Sequence, residues 1–366
     1  MVRRVGERKT ALSTVNGKIA LSMVLASLLT ATGVAAAHAA PPPARYAVLD
    51  RIAGPDGGGW DYATIDTAAR RLYLARDSGV LTLDLKTGRI TPIAIPGVGV
   101  HSITLVGNTG LAVSTNGGQN SVSVFATRTG KVVGHIYLGA SPDISVFDPR
   151  TRLVAVVNHD AGTISLVDAA RAKVVRTIVV GGVLEAAAAS GRGRLFVNVA
   201  DKHEVAVLDL TTGKVVRRIV MKACADPSGI AYDSADRLIA SVCGNGVTKI
   251  LRAADGTEVA SLQTGLGSDG LIFDAARKRL FVPAGRDGKL TVIRLSADKP
   301  PEVLQTLTTA PSVRLGALDT KTGRLYLPMA KLGPPVAPNP WPSVLPGTFA
   351  LLVVGEPAQR PGRAQH

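Results

Sequence analysis

Short apolar segments separated by turn-forming residues recur along most of this chain. Seven of them share one pattern, in which Leu follows Arg or Gly and is followed mainly by apolar residues, as in RLYLAR and RLFVNV. They occupy residues 71–76, 110–115, 152–157, 194–199, 237–242, 279–284 and 324–329. No segment between the turns keeps an apolar 3.6-residue period long enough to form a helix. The pattern therefore predicts an all-β protein.

The seven segments are regularly spaced. Their leucines stand at positions 72, 111, 153, 195, 238, 280 and 325, so the repeat is close to 42 residues. A repeat of this length is typical of one four-stranded propeller blade. The third repeat illustrates the four strands, with DISVFD (143–148), RLVAVV (152–157), TISLVDA (163–169) and KVVRTIVVG (173–181). We predict a seven-bladed β-propeller with four antiparallel strands in each blade.

The last repeat lacks an outer strand of its own. TFALLVVG (348–355) is followed by EPAQRPGRAQH (356–366), whose composition does not suit a strand and predicts a disordered tail. RYAVLDRIAG (45–54) precedes the first inner strand and has the outer-strand pattern. We therefore predict one propeller domain over residues 40–355, in which the N-terminal strand closes the last blade and leaves no open end of the ring.

The first 39 residues are predicted to be a signal peptide. Basic residues precede an apolar run from Ile19 to Ala37, and Ala37-His38-Ala39 supplies small residues at a cleavage site. An uncleaved anchor is the alternative, because the run is nearly long enough to span a bilayer. We expect a periplasmic or secreted protein with no stable membrane insertion after cleavage. Cys224 and Cys243 fit one disulfide bond in such a compartment.

The chain is strongly basic. Its formal net charge is +15, and loss of five basic residues and one acidic residue with the signal peptide leaves about +11. This charge favours anionic partners, so binding of single-stranded nucleic acid along the basic outer strands is one hypothesis. Lys and Arg on outer strands also prevent edge-to-edge pairing, and the aromatic residues that stack on bases are nearly absent there.

Several repeats resemble the YVTN repeats of YncE-like seven-bladed propellers, a family of exported bacterial proteins. Val156-Val157-Asn158 and Phe196-Val197-Asn198 stand at the positions that name the repeat, whereas Val113-Ser114-Thr115-Asn116 departs from it. The resemblance covers the mature chain and implies a non-catalytic propeller; one relative in that family binds single-stranded DNA. The sequence contains no haem-attachment motif, nucleophile elbow, Walker loop or zinc-protease motif.

The strongest functional signal is a set of residues at the start of the inner strands, which meet at the mouth of the axial channel. Alignment of the inner strands places seven residues in equivalent positions: Asp61, His101, Asp143, Glu185, Ser228, Asp269 and Arg314. Carboxylates that converge there repel one another unless a bound cation or Arg314 neutralises them. A divalent metal ion on Asp61, His101, Asp143 and Asp269 is one hypothesis, and acids that only accept hydrogen bonds from turns are the alternative.

Three further residues are candidates for the same face. His159 lies in a loop between second and third strands, where a turn role is the alternative. Trp341 lies in a loop with six prolines, residues 330–347, for which we predict a stiff and extended flap. Each tryptophan has two interpretations: Trp341 stacks on a ligand or pins this flap, and Trp60 contacts a ligand or packs at the entrance to the first blade.

The sequence thus predicts a monomeric, exported propeller that binds a partner protein or a small or ionic ligand at its channel mouth, without catalysis. No cofactor other than a divalent metal ion is indicated. A metal-dependent lyase or hydrolase resembling propeller lactonases, built on the same seven positions, is the first alternative. Binding of single-stranded nucleic acid is the second alternative.

Overall fold

A computed structural model describes residues 45–336 and 342–357, and the structural statements below concern those residues. The predicted signal peptide, the predicted tail from residue 358 onward, and Trp341 lie outside them. Within the described ranges, no helix has the length and apolar character needed to cross a membrane.

Strands account for the regular structure apart from two 3-10 turns, Gly117–Gln119 and Ala200–Lys202, in the described residues. The first strand, β1 (Ala47–Ala53), belongs to the last blade. Blade 1 contains β2 (Trp60–Asp66), β3 (Arg71–Arg76), β4 (Gly79–Asp84) and β5 (Ile90–Pro96). Blade 2 contains β6 (Val100–Leu105), β7 (Leu111–Asn116), β8 (Ser121–Ala126) and β9 (Val132–Tyr137). Blade 3 contains β10 (Pro142–Asp148), β11 (Leu153–Asn158), β12 (Thr163–Asp168) and β13 (Lys173–Val179).

The remaining blades repeat this order. Blade 4 contains β14 (Leu184–Ala189), β15 (Arg194–Val199), β16 (Glu204–Asp209) and β17 (Lys214–Val220). Blade 5 contains β18 (Pro227–Asp233), β19 (Leu238–Cys243), β20 (Val247–Arg252) and β21 (Glu258–Gln263). Blade 6 contains β22 (Ile272–Asp274), β23 (Arg279–Ala284), β24 (Lys289–Arg294) and β25 (Glu302–Thr308). Blade 7 contains β26 (Ala317–Asp319), β27 (Arg324–Met329), β30 (Ala350–Gly355) and β1, and a separate hairpin pairs β28 (Leu332–Pro335) with β29 (Pro342–Val344).

These seven antiparallel sheets form a ring, which confirms the predicted seven-bladed β-propeller. Each inner strand contacts the inner strand of the next blade, and β2 contacts β26 where the ring closes. The predicted closing strand is also confirmed, because β1 pairs with β30 from Ala47 opposite Gly355 to Ala53 opposite Ala350. The backbone N–H of Tyr46 donates to Gln305 Oε1 and the Gln305 amide donates back to Tyr46 O, both at 2.8 Å, so this strand is also bound to blade 6.

The hydrophobic core lies between neighbouring blades. The second strands are buried on both faces, as in blade 1, where Leu72 packs with blade 7 residues such as Leu351 and Tyr73 packs with blade 2 residues such as Phe125. This packing explains why these strands are nearly continuous apolar runs, whereas the outer strands are mostly exposed; in Lys173–Val179 only Ile178 is buried. The predicted disulfide is present between the buried Cys224 and Cys243.

The proline-rich loop differs in part from the predicted extended flap. Its described ends pair with each other, with Leu332 opposite Val344 and Gly333 opposite Ser343. The prolines favour extended backbone, and two extended arms that lie side by side can form a short ladder. The backbone N–H of Gly347 donates to Asp56 Oδ1 at 2.7 Å, which ties the hairpin to the segment before β2.

Candidate functional site

In blades 1 to 5, the aligned residue is the second residue of its inner strand, and it lies where pairing with the next strand is interrupted. The regular register is lost between Trp60 and Ala63 in blade 1 and between Val100 and Ile103 in blade 2, with equivalent breaks in the next three blades. The residues that occupy the breaks are Asp61, His101, Asp143, Glu185 and Ser228. Irregular pairing of this kind changes the direction of a side chain relative to a regular ladder.

Blades 6 and 7 depart from the sequence alignment. Their inner strands are only three residues long, so Asp269 and Arg314 precede these strands instead of beginning them. The backbone N–H groups of Asp269 and Gly270 both donate to Arg314 O at 3.0 Å, which joins the two blades by a loop contact. Glycine is needed at position 316, because a Cβ there would lie 2.7 Å from the backbone carbonyl oxygen of Tyr326. The close approach of these loops thus replaces the first part of the strand ladder.

Three predicted ligands meet on blades 1 to 3. His101 Nδ1 lies 2.8 Å from Asp61 Oδ2 and 3.8 Å from Asp143 Oδ1. The second carboxylate oxygen, Asp61 Oδ1, is buried and has no hydrogen-bond partner among the described residues. The three side chains are partly exposed, so the group is reachable from solvent and could hold a metal ion.

A second group forms beside the first and shares Asp143 with it. His159 Nδ1 lies 3.5 Å from Glu185 Oε1, and one ligand atom from each of Asp143, His159 and Glu185 lies within 4.8 Å of the others. His159 lies in the loop between β11 and β12. The buried Asn158 amide fixes the start of that loop by donating to Thr163 Oγ1 and Ser165 Oγ, each at 2.9 Å. We refer to Asp61, His101, Asp143, His159 and Glu185 as the mouth cluster.

Crowding changes the protonation of the mouth cluster. Burial, reinforced by the charge of Asp61, raises the pKa of Asp143 to about 7. Burial, followed by the charge of Asp143, raises the pKa of Glu185 to about 8. Burial alone would lower the pKa of His101, but the hydrogen bond with Asp61 and the surrounding carboxylates outweigh it and raise the pKa to about 9. The structure thus produces the carboxylate repulsion that the sequence alignment predicted.

Asp269 is in a different environment from the other predicted metal ligands. Its Oδ2 accepts a hydrogen bond from Arg314 Nε at 2.9 Å, and it is not part of either metal-binding group. Arg314 also donates through Nη2 to Trp60 O at 2.8 Å. The Arg314 guanidinium therefore already neutralises the mouth beside Asp269.

The remaining predicted site residues have mainly structural contacts. Trp60 is only 4% exposed, packs against Phe349 with ring centroids 5.5 Å apart, and lies under the Arg314 guanidinium. This arrangement matches the packing interpretation of Trp60. The Ser228 hydroxyl donates to Ser268 O at 3.1 Å. No structural role can be assigned to Trp341, which lies outside the described residues.

Sequence analysis missed Tyr62. Its hydroxyl donates to Asp269 O at 3.3 Å, and its side chain lines the axial channel directly after Asp61. Burial and then the charge of Asp269 raise its pKa well above 10. The strand alignment contained a signal for Tyr62, because it is the one aromatic residue at its position. The residues after the other six aligned positions are Ser, Ile, Ala, Gly, Gly and Leu.

A cavity of about 470 Å³ occupies the axial channel and is lined by inner-strand residues. The hydroxyls of Ser102, Thr104 and Ser145 line it on blades 2 and 3, and Gly229 and Gly270 line it on blades 5 and 6. These hydroxyls also connect the blades, as when Thr104 Oγ1 donates to Ser145 O at 2.6 Å. Blades 2 and 3 therefore line the channel with hydroxyls as well as with apolar side chains such as Ile103 and Val146, and blades 5 and 6 contribute small residues.

Comparisons with known proteins show the fold. No protein-family model matches the sequence, and no curated protein matches it. A chain of hydrazine synthase from Kuenenia stuttgartiensis is similar in structure, with a TM-score of 0.66 and 16% identity, over 74% of this chain and 93% of that one. A chain in the crystal structure of the mitotic checkpoint complex has a TM-score of 0.68 and 14% identity, over 90% of this chain and 99% of that one.

These similarities define the protein as a seven-bladed β-propeller. At such low identity they show the fold alone. Because 1778 chains of solved structures match, and two of them come from an enzyme and a checkpoint assembly, the fold does not select one function. Function must be inferred from the mouth cluster.

Proposed function

We propose that this chain is a non-catalytic propeller that binds a small cationic ligand at the mouth of its axial channel. The observation that carries the proposal is the convergence of three carboxylates and two imidazoles in the mouth cluster. Arg314 is the one residue among the seven aligned positions that is always positively charged, and it is already hydrogen-bonded to Asp269. A bound cation would lower the repulsion among the carboxylates of Asp61, Asp143 and Glu185.

The charge distribution favours a cationic ligand at the mouth over an anionic polymer on the opposite face, where turns join the first and second strands of the blades. Several basic side chains in the turns of that face are held in ion pairs: Arg70 with Asp319 at 2.6 Å, Arg277 with Asp274 at 2.8 Å and Lys278 with Asp233 at 2.7 Å. These pairs reduce the net positive charge that a phosphate backbone would meet. The carboxylates of the mouth repel anions directly.

We further propose that the protein is exported and is a distant member of the YVTN-repeat propellers. The repeat asparagines support this proposal, because Asn158 and Asn198 are both buried and both donate two hydrogen bonds through Nδ2. The disulfide supports export, since such bonds persist in oxidising compartments.

The proposal is tested by calorimetric titration of the purified protein with divalent metal ions and with 1,4-diaminobutane, an organic dication. We expect at least one of these cations to bind, and we expect the double variant Asp61→Asn/Asp143→Asn to abolish the binding. Asp168→Asn is the matched control, because Asp168 is a carboxylate paired with Arg171 outside the mouth cluster. Unchanged affinity in the double variant, or no binding of either cation class by the unaltered protein, would overturn the proposal. A metal-dependent lyase or hydrolase would use the same residues, so lactone turnover is measured on the same samples.

A further inference from the structure

The mouth cluster contains one position whose geometry suits a single metal ion. We infer that Asp61, His101 and Asp143 bind one divalent transition-metal ion, through Asp61 Oδ2, His101 Nδ1 and Asp143 Oδ1. This inference rests on the proposed function, because it names the chemical class of the cation. The three ligand groups lie within 4.8 Å of one another. Metal–ligand bonds of about 2.0–2.2 Å to nitrogen and oxygen need only small side-chain movements from that arrangement.

The donor set favours a transition metal over calcium or magnesium. Calcium takes six to eight oxygen ligands and magnesium keeps an octahedral oxygen shell, whereas imidazole nitrogen suits zinc, copper, nickel and iron. Here an imidazole nitrogen lies between two carboxylates, 2.8 Å from Asp61 Oδ2 and 3.8 Å from Asp143 Oδ1. The partial exposure of His101 leaves room for water or a small ligand to complete the coordination.

A second observation points to a partner for Asp61. Its Oδ1 is buried, yet no group among the described residues donates a hydrogen bond to it. Buried carboxylate oxygens ordinarily have a donor or an ion beside them. A metal ion held by Asp61 would supply that partner, either directly or through a bound water molecule.

The first group is a better metal site than the neighbouring group of Asp143, His159 and Glu185. Asp61, His101 and Asp143 lie on three consecutive inner strands, and these strands are bonded to one another, for example by Ser102 Oγ donating to Asp143 O at 3.0 Å. His159 lies instead in a loop, where Asp160 Oδ1 also approaches its Nε2 at 3.7 Å. Rigid elements hold metal ligands in place better than loops do. We therefore assign one ion per chain to the first group.

The experiment uses the full chain, purified without a polyhistidine tag and stripped with EDTA. Titration with Zn²⁺, Co²⁺, Ca²⁺ and Mg²⁺ is followed by calorimetry, and visible absorption of Co²⁺ reports its coordination by nitrogen and oxygen. We expect one Zn²⁺ or Co²⁺ per chain and much weaker binding of Ca²⁺ and Mg²⁺. Because even outer-shell partners of a metal are worth about 10- to 100-fold in affinity, His101→Gln should weaken Zn²⁺ binding by about 100-fold or more.

Two further histidine variants are compared with His101→Gln. His159→Gln tests the neighbouring group, and it should weaken Zn²⁺ binding much less than His101→Gln does, since it removes no assigned ligand. His135→Gln is the control, because it removes an imidazole that packs beside Tyr137 on an outer strand, and it should keep the Zn²⁺ affinity within about threefold of the unaltered protein. Thermal unfolding in EDTA shows whether each variant is folded. If His101→Gln does not fold, Asp61→Asn is tested in its place.

The outcomes separate the inference from the proposed function. Zn²⁺ binding that is lost in His159→Gln but kept in His101→Gln overturns the assignment, as does tighter binding of Ca²⁺ than of Zn²⁺. If the diamine binds and the metals do not, the mouth binds cations but the metal inference fails. If neither binds, both the inference and the proposed function fail.

Discussion

At the scale of single residues, each contact at the channel mouth depends on whether a strand or a loop carries the side chain. Asp61, His101 and Asp143 occupy equivalent strand positions, so aligning the repeats was enough to bring them together. The contact of His159 with Glu185 was not predictable, because it depends on the loop conformation that the buried Asn158 stabilises. Arg314 was predicted as a cation that could neutralise the mouth carboxylates, but Asp269 was not predicted as its partner, since this pairing arises from backbone contacts between two loops.

Trp60 supplies a prediction at this scale. Its buried ring packs against Phe349 and lies beneath Arg314, so Trp60→Ala should lower the free energy of unfolding by about 3–5 kcal/mol. Trp60→Phe keeps an aromatic ring and should cost clearly less. Tyr137→Ala is the control, because Tyr137 is 75% exposed and surface substitutions usually change stability by about 0.5 kcal/mol or less. Urea unfolding measures all three, and equal losses for Trp60→Ala and Tyr137→Ala would contradict the packing role.

At the scale of strands, the repeat predicted nearly all of the fold. The second and third strands were evident from their apolar runs, because burial between two blades leaves little room for polar residues. The inner strands of blades 6 and 7 are shorter than predicted, since Gly270 and Gly316 allow the chain to approach its neighbours as a loop. The hairpin formed by β28 and β29 was also missed, because proline content indicates extended backbone but not what it pairs with.

The disulfide gives a prediction at this scale. It connects the segment before β18 to the end of β19 across a sequence separation of 19 residues. Closing a loop of about this length should stabilise the fold by about 3 kcal/mol in the chain-entropy description. Guanidinium unfolding of the protein with and without a reductant measures the difference. The variant Cys224→Ala/Cys243→Ala should behave as the reduced protein does and should not respond to the reductant; a reductant effect in that variant would place the cause elsewhere.

At the scale of the whole molecule, charge is distributed unevenly between the two ends of the propeller. Ion pairs join neighbouring blades away from the mouth, as between Arg70 and Asp319 where the ring closes and between Lys278 of blade 6 and Asp233 of blade 5. The mouth instead concentrates carboxylates around His101 and Arg314. The repeat alignment predicted the carboxylates of the mouth, but the identity of the ligand depends on angles and distances that such an alignment does not contain.

The crowded mouth should make the stability of the metal-free protein depend on pH. The pKa values of Asp143 and Glu185 are raised to about 7 and about 8, and that of His101 to about 9. The folded protein therefore binds more protons than the unfolded chain at intermediate pH, so the free energy of unfolding falls as pH rises. The carboxyl contributions are complete below their unfolded pKa values and are lost as pH rises through about 7 to 8, and the His101 contribution is lost through about 9.

Glu185→Gln isolates one part of this dependence, because the amide keeps the shape of the carboxyl group and does not titrate. In EDTA, urea unfolding between about pH 5 and about pH 9 should give a shallower decline for Glu185→Gln than for the unaltered protein. Asp168→Asn should leave the slope unchanged, since hydrogen bonding to Arg171 lowers the pKa of Asp168 and keeps it ionised throughout this range. A stability that rises with pH in this range, or parallel curves for the unaltered protein and Glu185→Gln, would show that these carboxylates do not repel one another in the folded protein. The mouth would then have no need of a bound cation.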